Sequence, residues 1–176
     1  MISYKNSINI LKKSQLKIGD EIISSSNGLN RVSASNIFNK VNNPAADNAA
    51  FDGFAVNSSD TKGLNKKKVK LFKILGVVAA GDKPLSKRIK KFQTVEIMTG
   101  GIIPKSFDTI IPIEKIIFYP NKKNPKSILI DRKIKKFQHV RFKGSDYKKN
   151  ELVVKKNTII QPNHILAFKT LGIKKI

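Results

Sequence analysis

Asp47-Asn48-Ala49-Ala50-Phe51-Asp52-Gly53-Phe54-Ala55-Val56 is the stretch on which the reading of this chain turns. Two acids, an amide and a glycine sit there among small and aromatic residues. Elsewhere the chain is mostly lysine and aliphatics. Asp52-Gly53 reads as a turn dipeptide, because Gly tolerates positive φ and Asp bonds nearby backbone. Phe51, Phe54 and Val56 are expected to anchor that turn in a core, which would hold the Asp52 carboxylate at the tip of a rigid corner. An isolated Asp-Gly is more often a capped β-turn than a functional acid, so the surrounding sequence decides between the two. Asp47 and Asn48 read as capping residues.

Outward from this stretch, composition sets the bounds. The chain has 176 residues, enough for one large domain or two small ones, and 40% of them are hydrophobic, so a core can be buried. Cysteine is absent, which removes disulfides, thiolate zinc sites and a cysteine nucleophile from consideration. No apolar run approaches the roughly 20 residues of a membrane-spanning helix. The start, Met1-Ile2-Ser3-Tyr4-Lys5, lacks a signal-peptide pattern, so a cytoplasmic setting without membrane attachment is expected. Lys+Arg 35 against Asp+Glu 12 gives a net charge of +23. That excess suggests nucleic acid, an anionic membrane or phosphorylated ligands. Yet the only arginines are Arg31, Arg88, Arg132 and Arg141, and Lys lacks the bidentate fork that reads bases or clamps phosphate. Much of the excess therefore reads as solvated surface, and a basic nucleic-acid-binding module remains the runner-up reading.

Helical signals sit at the two ends. Ser7 to Lys13 predicts a short amphipathic helix, and Asp20 is a plausible N-cap for a second one reaching Ser26 or Leu29. Pro162 suits the first turn of a helix through Ile165, Leu166, Phe168 and Leu171, with Gly172 as its C′ residue. Between the ends the signals are β. Val32 to Phe38, Val69 to Val78, Thr94 to Met98, Thr109 to Ile113, Ile116 to Tyr119, Ser127 to Ile130 and Glu151 to Val154 each read as a strand. Ala79 to Leu85 reads as a tight loop, and Pro120 to Pro125 as a hairpin turn. Pro112 argues that its strand is an edge or carries a bulge. Asn150 and Asn157 each follow a Lys pair where a turn needs positive φ. Many short strands with turn signals suggest a compact barrel or sandwich.

Two further motifs follow the opening stretch in order. One is Glu96-Ile97-Met98-Thr99-Gly100-Gly101-Ile102-Ile103-Pro104, continuing to Asp108 and Glu114. The other is Val140-Arg141-Phe142-Lys143-Gly144-Ser145-Asp146, continuing to Leu171-Gly172-Ile173. With Ala79-Ala80-Gly81, the three together resemble the N-terminal half of the molybdopterin molybdenumtransferase family, to which the catalytic domain of gephyrin also belongs. The resemblance covers nearly the whole chain. It departs from the family pattern where Ala49, Phe51 and Phe54 replace Ser, Met and Tyr. It departs again where Gly101 and Ile102 stand in the middle motif for Ala and Pro.

The resemblance implies a mixed α/β and β fold. A discontinuous outer α/β domain, at about 1–50 and 139–176, would carry an inserted compact β-barrel-like domain at about 51–138. The family's pterin-binding α/β domain and final β domain have no counterpart here, so the chain is expected to be incomplete as an enzyme and to need the pterin-binding domain in cis or in trans. The implied reaction puts molybdate onto adenylylated molybdopterin and releases AMP, with Mg²⁺, in a homodimer. A non-catalytic dimerisation or scaffold domain is a further alternative. Asp52, Thr99 and Asp146 carry over as catalytic residues, with Asp52 and Asp146 as Mg²⁺ ligands through hard oxygen. Thr99 with the Gly100 and Gly101 amides would form an anion nest, and Arg141 and Lys143 would attract phosphate. His139 and His164 stand isolated and read as structural.

Overall fold

The computed structural model describes residues 2–14, 18–83 and 88–176. Its elements in chain order are α1 (Tyr4–Lys13), β1 (Ile37–Phe38), β2 (Asn48–Ala49), β3 (Gly53–Val56), β4 (Lys70–Val78), β5 (Gln93–Ile97), β6 (Thr109–Pro112), β7 (Ile117–Tyr119), β8 (Ser127–Ile130), β9 (Val140–Arg141), β10 (Leu152–Val154) and α2 (Pro162–Thr170). The described residues are thus mostly β with few helices. Contacts divide the chain into one unit of Met1–Phe38 with Leu152–Ile176, and another of Asn39–Glu151. The division falls nearer the chain ends than the expected 50/51 and 138/139. Pairing explains it. β2 pairs with β9, and Asn39 N–H donates to the Glu151 carbonyl (2.9 Å), so these flanks belong with the central segment.

The central unit holds a six-stranded sheet in the order β6-β3-β5-β4-β8-β7. All neighbours are antiparallel except β4 and β5. The order runs open from β6 to β7, which places Pro112 on an edge strand as its missing N–H requires. Apolar residues cover both faces. Ala55 and Ile110 join Val95, Ile97 and Phe107 on one side. Phe54, Val56 and Ile111 join Phe72 and Ile128 on the other. This is the period-2 alternation of a strand, with both sets apolar because both faces are packed. One irregularity keeps it so. Between Ile74 and Val77 β4 gains a residue against β5, at Gly76 with φ +154°. The bulge inverts the alternation, so Val78 reaches the same cluster that Leu75 packs against.

Burying a phenylalanine such as Phe54 or Phe72 stabilises the fold by about 2–3 kcal/mol each, and both are fully buried. Of the expected loop at Ala79 to Leu85, the part to Lys83 is a turn held by the Ala79 N–H donating to Asp82 Oδ2 (2.7 Å). Pro84 and Leu85 lie outside the described residues.

The other unit pairs β1 with β10, antiparallel. Ser3 caps α1 by accepting from the Asn6 N–H (3.3 Å). Pro162 opens α2, and Gly172 at φ +68° lets the Ile173 N–H reach the Phe168 carbonyl (2.8 Å) and close it. The helix expected after Asp20 does not form. Ile23 instead exchanges backbone bonds with Ile176 (2.9 and 3.0 Å), which holds this stretch extended, and only a single 3₁₀ turn follows at Ser25–Asn27, capped by Ser24. A long-range pairing has overridden a local cap signal. Of the strand expected over Val32 to Phe38, only β1 and an isolated bridge from Val32 to Ile159 appear.

Candidate functional site

The segment Asp47–Ala50 is the backbone of the site, and all of it lies in the central unit. On one side Ile103 N–H donates to the Asp47 carbonyl (2.9 Å), Ala49 N–H to that of Gly101 (3.0 Å), and Gly100 N–H back to that of Ala49 (2.9 Å). On the other side Asn48 faces Arg141 and Ala49 faces Val140. Ala50 N–H donates to the His139 carbonyl (2.9 Å) and Lys143 N–H to Asp47 Oδ1 (2.8 Å). The three sequence motifs therefore form one ribbon, with the opening stretch in the middle. Two strand spacings separate its outer members, about 10 Å between backbones.

Asp52 follows this segment at the mouth of β3. Its Oδ1 accepts two bonds from Thr99, one from the backbone N–H (2.6 Å) and one from Oγ1 (2.7 Å). These two donors, the amide first, hold the carboxyl below its ordinary pKa against a small opposing effect of desolvation. The carboxylate is solvent-exposed, so it is presented rather than buried. The Asp52 carbonyl accepts from Ile113 N–H (3.0 Å), which fixes the corner from the β6 side.

Gly53 is required, but not for the reason its sequence suggests. It is absent from the positive-φ residues and begins β3. A Cβ there would lie 2.0 Å from the Ile111 carbonyl oxygen. Close approach of β6, rather than turn geometry, selects glycine. Phe54 and Val56 are anchors as expected, both fully buried. Phe51 is not: it is half exposed, with its ring edge-on to His139 (centroids 4.9 Å apart).

The anion nest expected at Thr99-Gly100-Gly101 does not have free donors. Gly100 N–H is bonded to Ala49, Gly101 N–H to the Met98 carbonyl (2.8 Å), and both donors of Thr99 go to Asp52. The glycines serve the turn itself: Gly100 has φ +82°, and a Cβ on Gly101 would lie 2.9 Å from Ile97 and from the Met98 carbonyl.

Asp146 lies on the other edge of the ribbon. Its Oδ2 pairs with Arg141 and accepts from Asn43 Nδ2 (3.4 Å), while Oδ1 accepts from Ser145 Oγ (3.4 Å). Gly144, at φ +70°, makes the turn that brings Asp146 back to Arg141. Arg141 thus has an internal acidic partner, whereas Lys143 is an exposed cation beside it. Asp52 and Asp146 share no bonding partner, and no group of three or more His, Cys, Asp or Glu able to hold a metal occurs among the described residues. Two site roles were not read from the sequence. Asp47, read there as a cap, ties the first motif to the third through Lys143, and Asn43 holds Asp146; no local pattern marks either role, because both partners are remote in sequence. The Asn48 Oδ1 is buried with no hydrogen-bond partner among the described residues.

A mixed sheet packed on both faces and a ribbon that joins the three motifs are the frame against which the chain's relatives can be compared. The family description "MoeA N-terminal region (domain I and II)" matches residues 2–172, and the chain belongs to this family. A molybdopterin molybdenumtransferase of Staphylococcus aureus (strain Mu50 / ATCC 700699) is 26% identical over 175 residues, covering 99% of this chain and 40% of the relative. One of Staphylococcus epidermidis (strain ATCC 12228 / FDA PCI 1200) is 25% identical with the same coverage. The crystal structure of a molybdopterin biosynthesis moeA protein from Pyrococcus horikosii superposes with a TM-score of 0.86 at 26% identity, over 99% of this chain and 43% of that one. A second, from Pyrococcus horikoshii OT3, gives 0.81 at 28% identity, covering 100% of this chain and 45% of that one. The chain spans less than half the length of the curated relatives it matches.

Proposed function

We propose that this chain is the N-terminal region of an enzyme that inserts molybdate into adenylylated molybdopterin and releases AMP. The observation that carries the reading is the Asp52 carboxylate, exposed, held ionised by two donors of Thr99, and set at the end of a ribbon that joins all three motifs. In this reading Asp52 is the reacting-site acid and Thr99 fixes its oxygen. Asp146, oriented by Arg141 and Asn43, shapes the second edge. Lys143 draws the phosphate-bearing substrate in by charge. The pterin-binding domain would be supplied by further chain or by a partner, with a homodimer as the assembly and the cytoplasm as the setting. The two units would correspond to a discontinuous outer domain and an inserted β domain.

Mg²⁺ fits one of the two expected acids. It keeps several waters and takes one or two carboxylates plus substrate phosphates. Asp52 uses only Oδ1 toward Thr99, so Oδ2 suits a single ligand. Asp146 already bonds Arg141, Asn43 and Ser145, so it fits poorly as a second. When bound, the ion would neutralise charge developing on the phosphate; Asp52 orients it, and Thr99 keeps Asp52 deprotonated.

The test is a full-length relative with Asp52→Asn or Asp146→Asn at the matching positions, assayed for AMP release. Loss of release with Asp52→Asn is expected, with a smaller effect of Asp146→Asn. Unchanged turnover with Asp52→Asn overturns the reading.

A further inference from the structure

A cavity of about 220 Å³ lies beside the edge strand β6, and neither Asp52 nor Thr99 lines it. Its polar lining is Lys115, Arg132, Lys133, Lys135, Gln138 and His139. Four of these six are cations, and no acid lines it among the described residues. Arg132, which lines it, donates from Nη1 to Asp131 Oδ1 (3.3 Å) and from Nη2 to the Lys115 carbonyl (3.3 Å), so the guanidinium is held by both.

The wall is fixed rather than loose. Buried Ile134 donates its N–H to Thr61 Oγ1 (2.9 Å), leaving Lys133 and Lys135 to flank it. Thr109 Oγ1 donates to the Lys135 carbonyl (3.0 Å), Ile110 N–H to that of Gln138 (3.0 Å), and Phe137 N–H to that of Asp108 (2.9 Å). The segment therefore runs pinned along β6. Arg132 is paired with Asp131, which leaves Lys115, Lys133 and Lys135 as the lining cations whose charge an anion would offset. The volume lies below the roughly 300–1,000 Å³ of sites for drug-sized ligands, so the occupant is small or enters by one group.

We propose that this cavity binds a tetrahedral oxyanion, either free or as the phosphate of a larger ligand. None of the lining residues is Asp52, Thr99, Arg141 or Asp146, and only His139, whose carbonyl accepts from the Ala50 N–H and whose ring packs on Phe51, is shared with the ribbon.

Inorganic phosphate and AMP are titrated separately into the 176-residue chain at about 0.15 M salt, where long-range surface fields are screened, and followed by amide chemical shifts. Saturable shifts centred on residues 132–139 are expected. The double variant Lys133→Gln/Lys135→Gln removes two exposed cations and weakens the dissociation constant by about tenfold or more, the scale of a lost charge-assisted bond. Lys122→Gln/Lys123→Gln removes the same charge from the remote hairpin turn and changes it by less than about twofold. Both variants replace exposed side chains, and dispersed spectra verify that each is folded. Shifts from phosphate and AMP on the same amides support a phosphate group as the shared ligand; shifts from phosphate alone support a free oxyanion. Equal weakening by the two double variants, AMP binding without any response to phosphate, or no saturable shift at the cavity overturns the proposal. Each result is independent of whether Asp52 is needed for AMP release.

Discussion

Thr99 gives both of its hydrogen-bond donors to one oxygen of Asp52, the amide at 2.6 Å and the hydroxyl at 2.7 Å. Both bonds favour the carboxylate over the acid, so the folded pKa lies below the ordinary value, which is also that of the unfolded chain. A depressed acid contributes its stabilising bond above the unfolded pKa and loses it as pH falls through the folded one. The Thr99 amide proton shift is thus expected to stay constant from neutral pH down into the usual carboxylate range and to change only below it. Thr99→Val removes the hydroxyl but keeps the amide, and the Asp52 carboxyl titration should move upward; Thr99→Ser should restore it. A carbon-detected titration of the Asp52 side chain measures all three, and an unmoved midpoint in Thr99→Val counts against the arrangement.

Gly53 and Gly81 separate two reasons for a glycine. At Gly53 a Cβ would sit 2.0 Å from the Ile111 carbonyl oxygen, so Gly53→Ala must push β3 and β6 apart. A loss of about 3 kcal/mol or more is expected, at or beyond the upper end for overpacking. Gly81 has φ +87° with no atom of the described residues within 4 Å of a Cβ, so Gly81→Ala is expected to meet mainly backbone strain, about 1 kcal/mol. Urea unfolding of the two variants compares them directly; equal losses would contradict the close approach of β6.

What was legible in the sequence is what local chemistry determines. Asn150 and Asn157 stand at φ +67° and +64°, Pro112 on an edge strand, and Pro162 and Gly172 at the two ends of α2, each for a reason visible within a few residues. The candidate acids were legible in the same way, as conspicuous residues in small-residue turns. What stayed hidden depends on remote partners. Asp20 does not cap a helix because Ile176 pairs with Ile23. The Gly100 and Gly101 amides, expected to face an anion, are engaged by the carbonyls of Ala49 and Met98. Asp47 looked like a local cap and instead receives Lys143, far along the chain. No spacing rule encodes a strand partner that distant.

Asp47 and Asp146 should differ in how much they hold the ribbon. The Arg141–Asp146 pair is half exposed on the arginine side and one-third exposed on the acid, so its coupling in a double-mutant cycle with Arg141→Ala and Asp146→Ala should be about 1 kcal/mol or less and fall with added salt. Asp47→Ala leaves the Lys143 amide without its acceptor and loosens the join between first and third motifs, at about 1–2 kcal/mol with little salt dependence. Denaturation midpoints at low and high salt distinguish the two. A salt-sensitive Asp47 effect would mean that it acts by charge alone.

Phe51 and Phe54 are three residues apart and look alike in sequence, but only one supports the core. Phe54 is fully buried, edge-on to Phe118 with centroids 5.8 Å apart, and Phe54→Ala should cost about 3–5 kcal/mol. Phe51 is 52% exposed and touches His139 edge-on at 4.9 Å, so Phe51→Ala loses one partly solvated aromatic pair, about 1 kcal/mol or less. Because Asp52 is held by Thr99 and by the Ile113 amide, and not by the Phe51 ring, Phe51→Ala should also leave the Asp52 titration unchanged. Unfolding measurements and the same carboxyl titration decide both points together. A loss on Phe51→Ala as large as that of Phe54→Ala would show that the ring is an anchor after all, and that the corner presenting Asp52 is built differently.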